Sequence, residues 1–356
     1  MSQVDLNGKH IMYIGRELKS IDGGAVVSKR NIEILREISE GKIIEFYLSD
    51  KTIFHKFLNI ILGNPWGYSL KIYKDIKAAI LKNEISCIFI DHSLLGGFAG
   101  ILKKYNVELV VFFHNIEVKF YKDKASVDGV LNKLMVNYAK TNENKIVKYA
   151  DKIICLTSVD SNLLKSIYGR NADSIIPITI EDKFKCLSNL ENGTSYHLFV
   201  GSSFFANIDA LNWYVINVLP FIKSKLIVVG TGMEVLMDKY DENLNIEIHG
   251  FVDDLGPYYE GADFVINPVR LGSGMKTKTI EALMYGKTII GTQEAFAGME
   301  DIENLEAGYI CNQPKEFITR IQNLDDKKFN VKSRNYYLNN FSSDSGYYKL
   351  KDFLNL

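Results

Sequence analysis

Short apolar runs alternate with amphipathic helical stretches along almost the whole chain. This alternation is typical of a parallel β-sheet flanked by helices. Between the runs, stretches such as VVSKRNIEILREIS and VDSNLLKSIYG have helical spacing. In the first half the predicted strands are HIMYIG (10–15), IEFYLS (44–49), CIFIDH (87–92), ELVVFFHN (108–115), KIICLTS (152–158) and SIIPI (174–178).

The pattern restarts after the polar stretch CLSNLENGTSY, which breaks the periodicity near residue 190. The strands predicted beyond it are HLFVGS, KLIVVGTG, NIEIHGFV, ADFVINPV and TIIGT. We therefore predict an α/β protein with two successive sheet domains, residues 1–190 and 191–340. The last segment, 341–356, has no strand to cover and is predicted to be either a frayed terminal helix or a helix that packs back on the first domain.

Composition excludes several classes of protein. Lys plus Arg (42) nearly equals Asp plus Glu (43), so the net charge does not favour a nucleic-acid partner. The four cysteines form no C-x-x-C pair and the six histidines have no metal-binding spacing. Because no leader pattern and no run of 18 apolar residues is found, we expect a cytoplasmic location.

The sequence NPVRLGSGMKTKTIEALMYG (267–286) places a basic, glycine-punctuated turn between a strand and a helix. Ligands of open α/β sheets bind at such carboxyl ends of strands. Gly272 and Gly274 allow close approach of the backbone, while Arg270, Lys276 and Lys278 supply positive charge beside a helix N-terminus. The turn predicts a phosphate site, most simply for the diphosphate of a nucleotide.

Glu281 lies in the first turns of the helix that follows. A carboxylate there can accept hydrogen bonds from the hydroxyls of a ribose. It can also simply interact with the helix dipole. The neighbouring glycines and basic residues favour the ligand.

A second glycine pair, Gly23 and Gly24, separates the first predicted strand from the first helix. This is the place of a nucleotide-binding loop, but the spacing is not G-x-G-x-x-G. VVGTGMEV has Gly230 and Gly232 but Val235 where a third glycine would stand. A nicotinamide dehydrogenase is therefore disfavoured, and the absence of a P-loop pattern argues against a P-loop kinase.

Polar residues end two neighbouring predicted strands of the first domain. FFHNIE places His114, Asn115 and Glu117 at the end of one strand. DHSLLGG places Asp91 and His92 at the end of the strand before it. A His there can stabilise a hydroxyl-rich ligand, or it can be hydrogen-bonded beneath a loop. Read alone, the His favours the structural role, but two neighbouring polar ends make a ligand site harder to dismiss.

Segment 51–82 carries six Lys against one Asp and mixes them with aromatic and aliphatic residues. Such a composition suits an anionic membrane surface. It also suits a solvated helical face with an ordinary core side.

The run ADFVINPVRLGSGMKTKTIEALMYGKTIIGT resembles the donor-binding region of retaining family-4 glycosyltransferases of the GT-B fold. LFVGSSFFANIDALNWY, VVGTGM and HGFVDDLGPYYEGADF are similar to other parts of that family's C-terminal domain, and the Gly23–Gly24 pair and HN-x-E to parts of its N-terminal domain. The resemblance implies two Rossmann-like domains facing a cleft, with a C-terminal helix crossing back to the first.

The resemblance also implies roles for residues. His114, Arg270 and Lys276 would be catalytic, with His114 on the transferred sugar and the two cations on the diphosphate. Glu281 would bind the donor ribose. The full implied donor site is Gly23, Gly24, Gly201, Gly230, Gly272, Ser273, Gly274, Met275, Lys278, Thr279 and Glu281. The implied acceptor residues are Asp91, His92, Asn115 and Glu117.

This sequence departs from the family pattern at two places. Ser273 stands where the family often has a first Glu, and Gly201 is followed by Ser202 and Ser203 where many members have an Arg. Members with the G-S-G-x-K form share both features, so we interpret them as a subfamily trait. Loss of activity is the alternative.

The implied reaction moves a sugar from a nucleotide diphosphate, with retention, to a saccharide or lipid-linked acceptor in surface-polysaccharide synthesis. No D-x-D-like pattern occurs, so we predict no cofactor and no metal ion. A contact with the inner face of the membrane would run through 51–82. The alternatives are a catalytically inert GT-B subunit that assists a partner transferase, and a sugar-nucleotide epimerase.

Overall fold

A computed structural model describes residues 10–17, 23–127, 130–185, 195–272, 274–324 and 329–355. The chain divides into two compact units, one formed by residues 1–178 with 346–356 and the other by residues 179–345. Within these described ranges, each unit contains one sheet of six parallel strands. The predicted α/β class with two parallel sheets is confirmed.

The sheet of the first unit has the strand order β2-β1-β3-β4-β5-β6. The strands are β1 (His10–Arg16), β2 (Ile43–Leu48), β3 (Ile85–Asp91), β4 (Glu108–Phe113), β5 (Lys152–Cys155) and β6 (Ser174–Ile175). The helices are α1 (Gly23–Ile38), α2 (Ile53–Leu62), α3 (Leu70–Lys82), α4 (Gly97–Leu102), α5 (Glu117–Val127), α6 (Val130–Tyr149) and α7 (Ser158–Tyr168). The order reverses between β1 and β3, so their carboxyl ends flank a topological switch point.

The strands of this sheet are apolar on both faces because helices cover both faces. Ile88, Phe89 and Ile90 of β3 are fully buried in succession. The run SIIPI forms only the two-residue strand β6, since Pro177 has no N–H to donate to a ladder.

The sheet of the second unit has the order β12-β11-β10-β7-β8-β9. Its strands are β7 (Tyr196–Val200), β8 (Lys225–Val229), β9 (Ile246–His249), β10 (Phe264–Asn267), β11 (Ile289–Gly291) and β12 (Gly308–Ile310). The helices of this unit are α8 (Phe205–Asn217), α9 (Met237–Tyr240), α10 (Gly256–Gly261), α11 (Thr277–Met284), α12 (Pro314–Gln322) and α13 (Val331–Asn340). The last helix, α14 (Ser343–Leu354), lies mostly in the part of the chain that groups with the first unit. In this sheet the strand order reverses between β7 and β10, so the switch point lies at their carboxyl ends.

The units begin and end at residues different from the predicted boundaries, 190/191 and 340/341. Residues after 178 already bond within the second unit: Ile180 pairs with Ser342 in a β-bridge, and Arg334 donates to the Asp182 carboxylate. The polar stretch 186–194 lies outside the described residues. Residues 346–356 group with the first unit.

In the part of the chain that the structure describes, no helix has both the length and the hydropathy needed to span a bilayer.

Candidate functional site

The basic turn lies between β10 and α11, at the switch point of the second sheet. β10 pairs with β7 on one side and with β11 on the other. The turn therefore starts at the carboxyl end of β10, beside the carboxyl end of β7, where open α/β sheets bind ligands.

Two glycines of this turn have positive φ, +120° for Gly272 and +70° for Gly274. A Cβ on Gly272 would meet nothing closer than 4.0 Å, where the nearest atoms are Glu294 Oε1 and Lys276 Nζ. The backbone conformation thus favours glycine here, and the space beside it is open. Ser273, between them, lies outside the described residues.

Two cations of the turn, Arg270 and Lys276, are paired with carboxylates from other elements. Arg270 Nη2 donates to Asp209 Oδ2 at 2.9 Å, at the half-exposed surface of α8. Lys276 Nζ donates to Glu294 Oε1 at 2.6 Å and to the Gly274 carbonyl at 2.8 Å. The turn thus concentrates positive charge that is compensated within the unit.

Lys278 points from the first turn of α11 and is partly buried. Its Nζ donates to Asn207 Oδ1 at 2.6 Å and lies 4.5 Å from the centre of the Phe199 ring. Burial, helped by the charge of Lys276, lowers the pKa of Lys278 to about 7. An anion at this place would stabilise the charged ammonium.

Glu281 lies one turn further along α11 and accepts a hydrogen bond from the Tyr259 hydroxyl at 3.2 Å. The Tyr259 ring stacks on Tyr285 at 4.9 Å. Burial raises the pKa of Glu281. Its role toward a ribose stays a prediction.

Thr279 and Met275 lie inside the unit. The Thr279 hydroxyl accepts from Asn267 Nδ2 and donates to the Ala295 carbonyl, both at 2.9 Å. Met275 is 8% exposed. The two hydrogen bonds of Thr279 fix the start of α11 to the end of β10 and to Ala295.

The glycine turns after β7 and β8 pack against each other. A Cβ on Gly230, whose φ is +154°, would lie 2.0 Å from the Gly201 carbonyl oxygen, and one on Gly232 would lie 2.3 Å from Ser203 Oγ. Only glycine allows this approach. The donor contacts predicted for Gly201 and Gly230 would be made by backbone.

The first unit has a polar cluster at its own switch point, built around Asp91. This fully buried carboxylate accepts hydrogen bonds from the Tyr13 hydroxyl at 2.7 Å and from Asn31 Nδ2 at 2.9 Å, and it lies 2.8 Å from His114 Nε2. Burial alone would raise the pKa of Asp91, but His114 and the hydrogen bonds hold it well below its usual range. Asp91 is therefore ionised and orients the His114 ring.

His92 and Glu117 lie against this cluster. The rings of His92 and His114 are 5.0 Å apart, and His92 Nε2 is 3.6 Å from Glu117 Oε1. His92 has a φ of +134°, and its Nδ1 accepts the N–H of Leu94 at 3.1 Å. Burial lowers the pKa of His92 and raises that of Glu117. The structure thus brings together all of these predicted polar residues.

Glu143 of α6 supports the cluster from behind. It is fully buried, and its Oε1 accepts the N–H of Glu117 at 2.6 Å at the start of α5. The Tyr168 hydroxyl donates to its other oxygen at 2.6 Å. Asn115 is partly buried, and its side chain bonds to Glu117.

The second predicted glycine pair starts α1, which begins at Gly23. Residues 18–22, which connect it to β1, lie outside the described residues. Gly24 is partly buried in the first turn of α1, and Asn31 of the same helix reaches Asp91. The pair therefore begins a helix that leads into the Asp91 cluster.

Sequence analysis missed the partners that hold the cations and the buried carboxylates. They are Asn207, Asp209, Glu294, Tyr13, Asn31, Glu143 and Tyr259. Asn207 and Asp209 were the partners most open to prediction from the sequence. Both are polar residues at the start of α8, shortly after the predicted glycine turn at Gly201.

Residues 194–326 match the family of Glycosyl transferases group 1. No curated protein matches the chain significantly. The crystal structure of Alr3699/HepE from Anabaena in complex with UDP is similar with a TM-score of 0.68 at 14% identity, covering 97% of this chain and 99% of that one. A glycosyltransferase from Rickettsia africae ESF-5 has a TM-score of 0.61 at 16% identity, with 97% and 98% covered.

At these identities the structures show the fold, and the predicted GT-B fold is confirmed. The family match covers the sheet that carries the basic turn. The match and the fold together support a glycosyltransferase of the GT-B fold.

Proposed function

We propose that this chain transfers a sugar from a nucleoside-diphosphate sugar to a saccharide or lipid-linked acceptor, with retention at the anomeric carbon. The observation that carries the proposal is the gathering of Arg270, Lys276 and Lys278 around a glycine turn at a switch point. The turn lies within the region matched by the group 1 family.

The donor is proposed to place its diphosphate against this turn. Alr3699/HepE, which shares the fold, has been solved with UDP and with UDP-glucose. Uridine nucleotides are therefore the first donors to test. The ribose hydroxyls would donate to Glu281, whose carboxylate already accepts a hydrogen bond from the Tyr259 hydroxyl.

Departure of the diphosphate develops negative charge on its oxygens. Lys276 and Arg270 would exchange their carboxylate partners, Glu294 and Asp209, for phosphate oxygens, and Lys278 would gain an anion beside its partly buried ammonium. Each such contact contributes on the order of a few kcal/mol to transition-state stabilisation. The three cations supply the positive charge, so the proposal includes no metal ion.

His114 is proposed to contact the transferred sugar. Its Nε2 is held by Asp91, whereas its buried Nδ1 has no hydrogen-bond partner among the described residues. Asp91 would act as a positioning residue, and His92, Asn115 and Glu117 would shape the acceptor side. The acceptor hydroxyl would pass its proton to the leaving diphosphate as the new glycosidic bond forms.

The test is a transfer assay with a panel of sugar nucleotides, in which nucleoside diphosphate release is measured with and without saccharide and polyprenyl-diphosphate acceptors. We expect acceptor-dependent release and a product with the donor's anomeric configuration by NMR. Lys276→Ala should lower kcat by about 100-fold or more. Lys315→Ala, on the exposed face of α12, is the matched control and should leave kcat unchanged.

Three results would count against the proposal. Near-normal turnover of Lys276→Ala would mean that this turn has no role in catalysis. Donor binding without transfer on any acceptor would favour the inert partner subunit, to which Ser273 points. A sugar product formed without acceptor would favour the epimerase.

A further inference from the structure

Helix α2 is turned with its polar side toward the protein. Asn59 is buried and donates from Nδ2 to Asp50 Oδ1 and to the Tyr68 carbonyl, both at 3.2 Å. His55 Nδ1 lies 3.3 Å from the same Asp50 oxygen. Lys56 Nζ lies 4.7 Å from the centre of the Trp66 ring. These polar residues, together with the partly buried Ile60, hold α2 on the unit.

The opposite side of α2 is apolar and exposed. Ile53 is 90% exposed, Phe54 74% and Ile61 59%. The complete apolar face consists of Ile53, Phe54, Phe57, Leu58, Ile61 and Leu62. Their spacing of three and four residues places them in one stripe along the helix.

This orientation is the reverse of that in an ordinary surface helix, which buries its apolar stripe. The helix is nevertheless well defined, because the Thr52 side chain caps its start and Gly63 ends it in the left-handed conformation. A contiguous exposed apolar face of this kind is typical of an interaction surface.

Positive charge accompanies the apolar face. The next helix, α3, exposes Lys71, Lys74, Lys77 and Lys82 together with the apolar Leu70 and Leu81. Lys51 precedes α2, and Asp75 is the only acidic residue in 51–82. Lysines beside an apolar stripe attract anionic lipid headgroups while the stripe enters the interface.

We propose that the apolar face of α2 inserts into the surface of an anionic membrane, with the exposed lysines of α3 against its headgroups. A second copy of the chain fits this surface less well, because a two-fold interface would oppose one lysine-rich face to another. The proposal rests on the geometry of the first unit and does not depend on the proposed sugar transfer.

The test is co-sedimentation of the full chain with vesicles of phosphatidylglycerol and phosphatidylcholine, and with vesicles of phosphatidylcholine alone. We expect binding to the anionic vesicles that weakens with added salt. The double variant Phe54→Ser, Ile61→Ser should bind at least about tenfold more weakly, since both side chains lose their apolar surface. The matched control is Phe221→Ser, Leu244→Ser, which changes two apolar residues of the second unit that are 60% and 90% exposed, and it should bind like the parent.

The proposal would be overturned if the α2 variant bound as strongly as the parent, or if the parent did not co-sediment with anionic vesicles. Self-association of the parent that the α2 variant loses, without vesicle binding, would instead assign the face to a second copy. Thermal shifts with UDP-sugars, measured on the same proteins, test donor binding separately from membrane binding. A failure of donor binding leaves the vesicle result standing, and the reverse also holds.

Discussion

Each cation of the β10–α11 turn has a partner within the second unit, so donor binding is an exchange of partners. Among the described residues, Lys276 and Arg270 contact carboxylates, whereas the hydrogen bond of Lys278 goes to the neutral amide oxygen of Asn207. Burial and the charge of Lys276 lower the pKa of Lys278, so Lys278 is the cation of the turn that would gain most from a phosphate.

This predicts a pH dependence of donor binding. In the free protein Lys278 loses its proton above pH of about 7. A bound diphosphate raises the Lys278 pKa again, so binding above that pH must take up a proton. The affinity for a UDP-sugar should be constant below about pH 7 and fall by up to tenfold for each pH unit above it, which calorimetry across this range measures.

Lys278→Arg is the control for this prediction. An arginine stays charged at every pH of the experiment, so the variant's affinity should not fall as the pH rises. The same slope in parent and variant would assign the pH dependence to another group.

At the scale of elements, strand–turn–helix patterns were predictable and the contacts between them were not. Residues 262–278 predicted both β10 and the site that follows it, because the apolar run, the glycines and the lysines follow one another along the sequence. Asp209 and Asn207 lie 61 and 71 residues from the cations that they hold, so only the fold brings them together. β12 was missed because its three residues are too short for a periodic signal.

The close packing of the turns after β7 and β8 predicts how two glycine substitutions affect the stability of the second unit. Gly230→Ala would place a methyl group against the Gly201 carbonyl and also strain the backbone, whereas Gly272→Ala at φ +120° would strain the backbone alone. We expect Gly230→Ala to lower the free energy of unfolding by about 2 kcal/mol or more beyond Gly272→Ala. Urea unfolding followed through Trp213, which lies in the second unit, measures this. Equal losses in the two variants would mean that the turns do not pack closely.

For the whole molecule, near-neutral charge hides local concentrations of charge. The net charge is −1, yet lysines and an arginine cluster at the β10–α11 turn and lysines cover α3. The fold class could be predicted from apolar periodicity alone, since both sheets are buried on both faces. The orientation of α2 could not be, because its composition fits an apolar face turned inward as well as one turned outward.

The central claim is that the β10–α11 turn and Glu281 bind a nucleoside-diphosphate sugar. Thermal unfolding against a panel of nucleoside diphosphates and sugar nucleotides, with Glu281→Ala beside the parent, tests it most directly. We predict that at least one nucleotide stabilises the parent, by about 2.7 kcal/mol at a concentration 100 times its Kd, and that the variant loses most of this shift. If no nucleotide on a broad panel stabilises the parent, or if the variant shifts as much as the parent does, this turn is not the donor site.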